Sequence, residues 1–490
     1  MWAARGRSGP LLANCVSTRV PTMATDANPE ANWVRARLIP TTGITGAQEQ
    51  ETRATSALLA VVGSVDEFGR RLTRLAGAPA GGVECFTEVA FKINGTKAVA
   101  RPDGLIRVSR GKTSWTALVE VKTGKNQLNV DQLNLYLDVA REQGFDALIT
   151  ISNQISPNEN THPTVGIDGR KLRKLALHHW SWSRLLSIAV MEKEHRGVSD
   201  PDQAWILGEL IRYLEHPKSG ALAFDDMGEN WVSLRDAVSA GTLRASDKES
   251  ISQITANWDA LLRFAALHMG RRLGTEVQHQ LSRKESNDPA LRQNNLCSAL
   301  LNSGVLVGEI RIPDTVDDIT VTADLRSKAI TCSVSLDAPK TGRNTTRVNW
   351  LTRQLTAAPG HVRVEAFVAH QRGRGSAELL GKVRDEPESL LTDPSKDVVR
   401  FEIATMGKMG IKRGTGQGAF IDSVLDTLDV FYADVVQHVK EWQAPPPKAP
   451  KPSTIDSKDD ETRDGAPMSA PEPVKTWEMP SFQPYKPGGM

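Results

Sequence analysis

The sequence predicts an α/β fold: a first half with the element order α, β, β, β, α, β, then a second half of α+β character and a proline-rich end. Three observations predict it. An apolar repeat of three- and four-residue spacing at 51–65 gives way to strict alternation at 83–93. Helical spacing returns at 130–140 and is followed by a strand-like apolar run at 145–151. The 490 residues allow two or three domains, and 39% hydrophobic with 24% charged residues is ordinary for a globular chain with a sizeable core.

The opening helix is read from Glu51, Ala54, Leu58, Val61, Val62 and Val65, which form one stripe. Residues 83–93 place Val83, Cys85, Thr87, Val89, Phe91 and Ile93 on one face of a half-buried strand, and Asn94-Gly95 comes next as a hairpin turn. Extended runs at 98–108 and 115–122 flank a turn at Arg110-Gly111-Lys112. Val130, Leu133, Tyr136, Leu137 and Ala140 then mark a helix that stops at Gly144, before the strand Phe145–Ile151. A further strand at 175–182 and helices at 182–194 and 203–214 close this half near residue 215.

A loop-rich passage with His216-Pro217, Ser219-Gly220 and Asp225-Asp226 marks the boundary to a second domain, 216–443. There the pattern predicts a long helix at 251–281, two or three strands at 304–336, a helix at 346–355, strands at 362–368 and 398–404, and a closing helix at 420–442. Residues 1–46 read as a flexible leader, with Met1 or Met23 as the start. Residues 444–490 hold 11 of the 27 prolines and read as a disordered tail, because they bury too little apolar surface to offset ordering entropy.

Sixty basic and 58 acidic side chains leave a net charge of +2, which excludes binding of nucleic acid by bulk charge and requires a local groove instead. Cys15, Cys85, Cys297 and Cys332 are scattered without a CxxC pair, against a disulfide framework or a structural zinc site and in keeping with a cytoplasmic protein. No window carries the apolar length of a membrane span.

The chemistry is concentrated in Arg101-Pro102-Asp103-Gly104, in Val119-Glu120-Val121-Lys122 seventeen residues beyond Asp103, and in Gln132-xxx-Tyr136. Residues two apart on a strand share a face, so Glu120 and Lys122 project together, and a 98–108/115–122 hairpin brings Asp103 beside Glu120. Two converging carboxylates are relieved by a hard cation such as Mg²⁺. An acid pair with a neighbouring lysine suits phosphodiester hydrolysis.

With these motifs the sequence resembles the PD-(D/E)XK nuclease superfamily, in particular its RecB-like branch with a QxxxY motif, over roughly residues 47–185. The resemblance implies a restriction-endonuclease-like core and metal-dependent cleavage of DNA, a Mg²⁺-dependent deoxyribonuclease using Mg²⁺ or Mn²⁺. It also implies a first acid on the opening helix. Glu51 lies in line with Ala54, Leu58 and Val61 and is preferred to Glu49, which aligns with Thr52, Arg53 and Ser56; Glu88 is the second contender. The expected metal ligands are therefore Glu51, Asp103 and Glu120, with Lys122 as the catalytic cation and Gln132 and Tyr136 bracing the site or touching substrate. The rival reading is a catalytically silent protein of the same fold acting as a DNA-binding sensor or scaffold. In that reading residues 216–443 do the regulatory work; in either reading they offer a surface for a protein partner or a second copy.

Three further signals are set aside. Residues 406–418 fit neither GxxxxGK[ST] nor GxGxxG and read as a flexible basic loop, with phosphate contact by Lys408, Lys412 and Arg413 as a minor option. His178 and His179 face opposite ways on a strand and are read as structural. The run Arg170–Lys174 borders that strand, either solvated or along a DNA groove.

Overall fold

The computed structural model describes residues 37–444 apart from 42, 94–98, 157–160, 371–372, 392 and 394. The Asn94-Gly95 turn, residues 1–36 and 42 of the leader and all but the first residue of the tail lie outside the described residues.

The chain opens with α1 (Ala47–Ser64) and α2 (Asp66–Leu75), separated by the extended residue Val65, with Asp66 and Glu67 favourably placed in the first turn of α2. Then come β1 (Gly82–Thr87), β2 (Phe91–Lys92), β3 (Val99–Ala100), β4 (Gly104–Arg110), β5 (Thr113–Val121), α3 (Val130–Glu142), β6 (Ala147–Ser152), β7 (Ala176–Ser181), α4 (Trp182–Val190), a π-helical turn at Met191–Arg196, and α5 (Pro201–Leu214). Five of these strands form a mixed sheet in the order β1-β4-β5-β6-β7, antiparallel as far as β5 and parallel from β5 to β7. Arg110 pairs with Thr113, leaving a two-residue turn in which Gly111 takes φ +60°, the conformation glycine adopts without steric cost.

Alternation sorts the sheet residues between two cores. Ile106, Val119, Ile149 and Ile151 pack with Leu58, Leu59 and Val62 of α1, while Leu105, Leu118 and Leu148 pack with Leu133, Leu137 and Ala140 of α3. Each fully buried leucine or isoleucine contributes about 1.5–3 kcal/mol.

One expected strand breaks in two. Residues 83–93 do not present one continuous face, because Glu88 adopts φ +57° and ends β1. Val83 and Cys85 pack on the α1 side, whereas Val89, Phe91 and Ile93 join the α3 side, and β2 pairs with β3 in a separate two-stranded ribbon. The 98–108 run is likewise split at Arg101–Asp103.

The second half contains α6 (Trp231–Ser239), α7 (Lys248–Leu273), β8 (Gln278–Gln280), α8 (Arg283–Asn287), α9 (Pro289–Ser303), β9 (Val305–Arg311), β10 (Ile319–Asp324), β11 (Ala329–Asp337), α10 (Asn344–Gln354), β12 (Arg363–Val368), β13 (Ser376–Leu379), α11 (Leu380–Asp385), β14 (Val398–Lys408) and α12 (Phe420–Asp434). Its sheet has the order β13-β12-β14-β11-β10-β9-β8 and is antiparallel throughout. The helix expected at 251–281 stops at Leu273, where Gly274 turns left-handed (φ +69°), and the chain continues into β8. The closing helix ends at Asp434 rather than 442, and α6, α8, α9, β13 and α11 appear where no element is expected. The 406–418 stretch is an anchored segment, not a free loop: Met227 N donates to Arg413 O, Ile411 N to Gly418 O and Phe420 N to Lys412 O.

The described residues up to Trp442 belong to one compact unit, and past Trp442 only Gln443 and Ala444 are described. Among the described residues no helix is long and apolar enough to cross a membrane, and Cys85, Cys297 and Cys332 are free.

Candidate active site

The β4–β5 hairpin sets the site. Gly104 pairs with Val119, so the antiparallel register carries Asp103 opposite Glu120, and Asp103 Oδ2 accepts a hydrogen bond from Val121 N at 2.7 Å. Gly104 has to be glycine, because a Cβ there would lie 2.4 Å from Leu59 Cδ1 and 2.9 Å from Phe86 O. Lys122, one residue past β5, is anchored through its backbone: its N–H donates to Ile151 O at 2.7 Å and its carbonyl accepts from Trp182 Nε1 at 2.9 Å.

From α1, Glu51 reaches the same point. Lys122 Nζ donates to Glu120 Oε1 at 2.6 Å, Glu51 Oε1 at 3.1 Å and Val121 O at 2.9 Å, and stands 4.0 Å from Asp103 Oδ2. Three carboxylates thus share one ammonium. Glu51 and Glu120 are 7% and 1% exposed, and the second oxygen of each, Oε2, is buried without a hydrogen-bond partner. Leaving a buried polar atom unpaired is costly, so such oxygens mark a site where a further group belongs.

Burial, and after it the Asp103 charge, pushes the Glu120 carboxyl up to about 8 even though Lys122 works in the opposite direction. Burial lowers the Lys122 ammonium, but Glu120, Asp103 and Glu51 more than offset it and hold Lys122 above the usual lysine range. Burial together with Glu120 and Asp103 pushes Tyr136 up to about 12, so its hydroxyl stays protonated.

Gln132 and Tyr136 stand beside this cluster. Asn129 caps α3 by accepting from Asp131 N and Gln132 N, Gln132 Nε2 donates to Tyr136 Oη at 3.0 Å, and Tyr136 Oη donates to Arg101 O at 2.9 Å. The pair therefore braces the Arg101-Pro102-Asp103 turn. Glu49 is outside the cluster, paired with Arg53 at 2.6 Å and held by Thr45, and Glu88 is exposed.

Register adds residues that sequence reasoning set aside. Glu120 lies level with Thr150 on β6, and Thr150 with His179 on β7, so one polar row crosses the sheet. Thr150 Oγ1 hydrogen-bonds His162 Nε2 and His179 Nδ1, and burial pushes both histidines down to about 4. His178 points to the other face, as alternation requires. Asn153 was missed altogether. Its Nδ2 donates to Gly124 O and Gly220 O and its Oδ1 accepts from Leu222 N, each at 2.8 Å, pinning the loop after Lys122 to the 219–222 passage. Gly220 packs so closely on Gln50 and Thr123 that a Cβ would fall 2.5 and 2.8 Å from them. Of these, His179 alone carries a sequence signal, the His178-His179 pair read as structural. In the basic run, Arg170 is paired with Asp168 and Lys171 with Asp138.

Among the described residues no group of three or more His, Cys, Asp or Glu side chains is drawn close enough to ligate a metal as it stands, because Lys122 Nζ lies between the carboxylates. The donor set is of the kind a hard divalent cation takes: carboxylate oxygens in excess over the local positive charge, two of them unpartnered. Compared with family models, with curated proteins and with solved structures, the chain finds no match in any of the three.

Proposed function

We propose that this chain is a metal-dependent nuclease of the PD-(D/E)XK kind that hydrolyses DNA phosphodiester bonds from a restriction-endonuclease-like core in its first half. The observation that carries the reading is the pair of orphaned carboxylate oxygens, Glu51 Oε2 and Glu120 Oε2, beside Asp103 and Lys122 at one end of the five-stranded sheet. Asp103, Glu120 and Glu51 would hold Mg²⁺ or Mn²⁺, which when bound polarises the phosphoryl oxygens and lowers the pKa of a water. Lys122 keeps its proton and presents positive charge where negative charge grows on the attacked phosphate. Gln132 and Tyr136 act as positioning residues, since their hydrogen-bond chain ends on the carbonyl two residues before Asp103.

One observation favours the silent alternative, a DNA-binding sensor or scaffold: the Lys122 ammonium is already engaged by Glu51, Glu120 and Val121 O. A single assay separates the two readings. Purified protein is incubated with linear, circular and single-stranded DNA in Mg²⁺, Mn²⁺ or EDTA, beside the Asp103→Asn variant. Cleavage that needs the divalent ion and vanishes in the folded variant supports the nuclease. DNA binding without cleavage in any metal would replace it with the silent protein.

A further inference from the structure

Beside the carboxylate cluster lies an open recess of about 430 Å³, formed where the start of α1 meets the loop after β5 and the turn at Pro217–Ser219. Its wall carries two cations, Lys125 and Lys218, and no acid. Both lysines are exposed, and among the described residues neither ammonium makes an ion pair or a hydrogen bond. Gln50 Nε2 closes one side by donating to Lys218 O at 2.9 Å. The cavity lined by Asp259, Glu285 and Arg292 provides the contrast, because there the cation stands 2.8 Å from one acid and 3.8 Å from the other. Charge in the recess is left for a ligand to answer.

Two further features of the wall call for an acceptor. Gly46 and Ala47, where α1 begins, form part of it, and Gly46 has no side chain to cap the first-turn N–H groups, so unsatisfied donors and the positive end of the helix dipole meet the recess. Glu49, in the same turn, is outside the wall and is taken up by Arg53 at 2.6 Å and by Thr45. The second feature is Thr123. Alternation along β5 puts Val119 and Val121 on the α1 side, and Thr123 follows them there, sharing Gly220 with Gln50 as a close neighbour. It is 1% exposed, and its Oγ1 is buried without a hydrogen-bond partner. Such a hydroxyl is costly to leave unpaired, and one acceptor oxygen satisfies its proton.

Position decides what carries the acceptor. Gln50 directly precedes Glu51 on the helix and Thr123 directly follows Lys122 on the strand, so the recess adjoins the carboxylate cluster along both elements. We infer that the recess holds a phosphate group of a nucleic-acid strand, next along the strand from the phosphate at the carboxylate cluster. The Thr123 hydroxyl and the first N–H groups of α1 donate to its oxygens, and Lys125 and Lys218 supply the charge. Helix N-termini and ammonium groups both suit a compact anion, and a wall without acids does not repel one. The inference rests on the nuclease reading for the strand that bears the phosphate, while its test reads binding alone.

The test is a fluorescence-anisotropy titration of the full chain, in EDTA and at several salt concentrations, with two labelled oligodeoxynucleotides of one sequence, one ending in a 5′-phosphate and one in a 5′-hydroxyl. The double variant Lys125→Gln, Lys218→Gln should weaken binding by about tenfold or more and reduce the slope of log affinity against log salt by about 0.7–0.9 per lysine. Thr123→Val keeps the shape and strands no partner. It should weaken binding by about tenfold with the slope unchanged, and its melting temperature should not fall. Lys340→Gln, at an exposed lysine of the second half, is the control and should bind as the parent does. A parental preference for the phosphorylated strand that the double variant loses identifies a terminal phosphate; equal binding of the two strands, with the same losses, identifies an internal one. Parental affinity and slope in the double variant, an equal fall in Lys340→Gln, or no saturable DNA binding by the parent would each overturn the inference. Absence of cleavage by the parent in Mg²⁺, with these binding losses present, would remove the nuclease and leave the phosphate site.

Discussion

In the half built on the seven-stranded sheet, the buried carboxylates Asp259 and Glu365 each have an arginine of their own, Arg292 at 2.8 Å and Arg363 at 2.5 Å. At the end of the five-stranded sheet Glu51 and Glu120, equally buried, share the single ammonium of Lys122 with Asp103 nearby. Among the described residues the buried carboxylate oxygens without a hydrogen-bond partner are those of Glu51 and Glu120. Glu192 and Glu209, also in the first half, keep to the paired pattern with Arg196 and Arg212. Paired buried charge is what a structural role requires, because an uncompensated ion is costly to bury. Acid in excess of its partners is what a site awaiting a cation requires.

The sharpest break of this contrast is Glu120→Gln. The amide keeps the shape and can still accept from Lys122, but it cannot supply charge to a hard cation, so cleavage should fall by about a thousandfold or more while the fold persists. Single-turnover cleavage beside circular dichroism measures it, and near-parental activity would place the unpaired acids outside catalysis. Lys122→Ala should come next, with a loss of about a hundred- to a thousandfold in rate and little change in DNA affinity, since affinity is spread over many backbone contacts. Equal collapse of rate and affinity in a binding titration would make Lys122 a substrate anchor.

On the paired side, Arg292→Met strands Asp259 beside His279, 3.7 Å away and neutral at physiological pH. Stability should drop by about 3 kcal/mol in a denaturant titration, with cleavage per folded molecule unchanged. A smaller effect is the pH dependence of stability in EDTA. The folded Glu120 carboxyl titrates at about 8, above its ordinary 4.5, so between these values the folded chain holds a proton that the unfolded chain has released. This stabilising contribution is complete below about 4.5 and is lost as the pH rises through about 8. Lys122 remains protonated in both states over this window and adds no slope. Melting temperatures of the parent should therefore fall relative to Glu120→Gln from pH 5 to 8, whereas parallel curves would mean that Glu120 is ionised throughout.

Much of the first half was legible because its signals are local. The α1 stripe, the Gly111 turn, the 130–140 stripe and the 145–151 strand each depend on residues within one element, and periodicity reports which face is buried. The preference for Glu51 over Glu49 also came from helical phase, and the structure puts Glu51 on Lys122 and Glu49 on Arg53. Where alternation misled, at 83–93, the cause is a single backbone reversal at Glu88, a conformation that residue type does not announce.

By itself the sequence determined most elements of the first half, the two faces of the strands from β4 to β6, and the spacing that lets Asp103 meet Glu120 across a hairpin. Tertiary structure alone decided that Thr150 and His179 continue the Glu120 row, that Trp182 and Asn153 hold the segment around Lys122, and that two carboxylate oxygens remain unpartnered. The physical reason is range. Propensity and periodicity act within a few residues, whereas strand order, cavity walls and the desolvation of a charge are set by groups that packing brings together from distant parts of the chain.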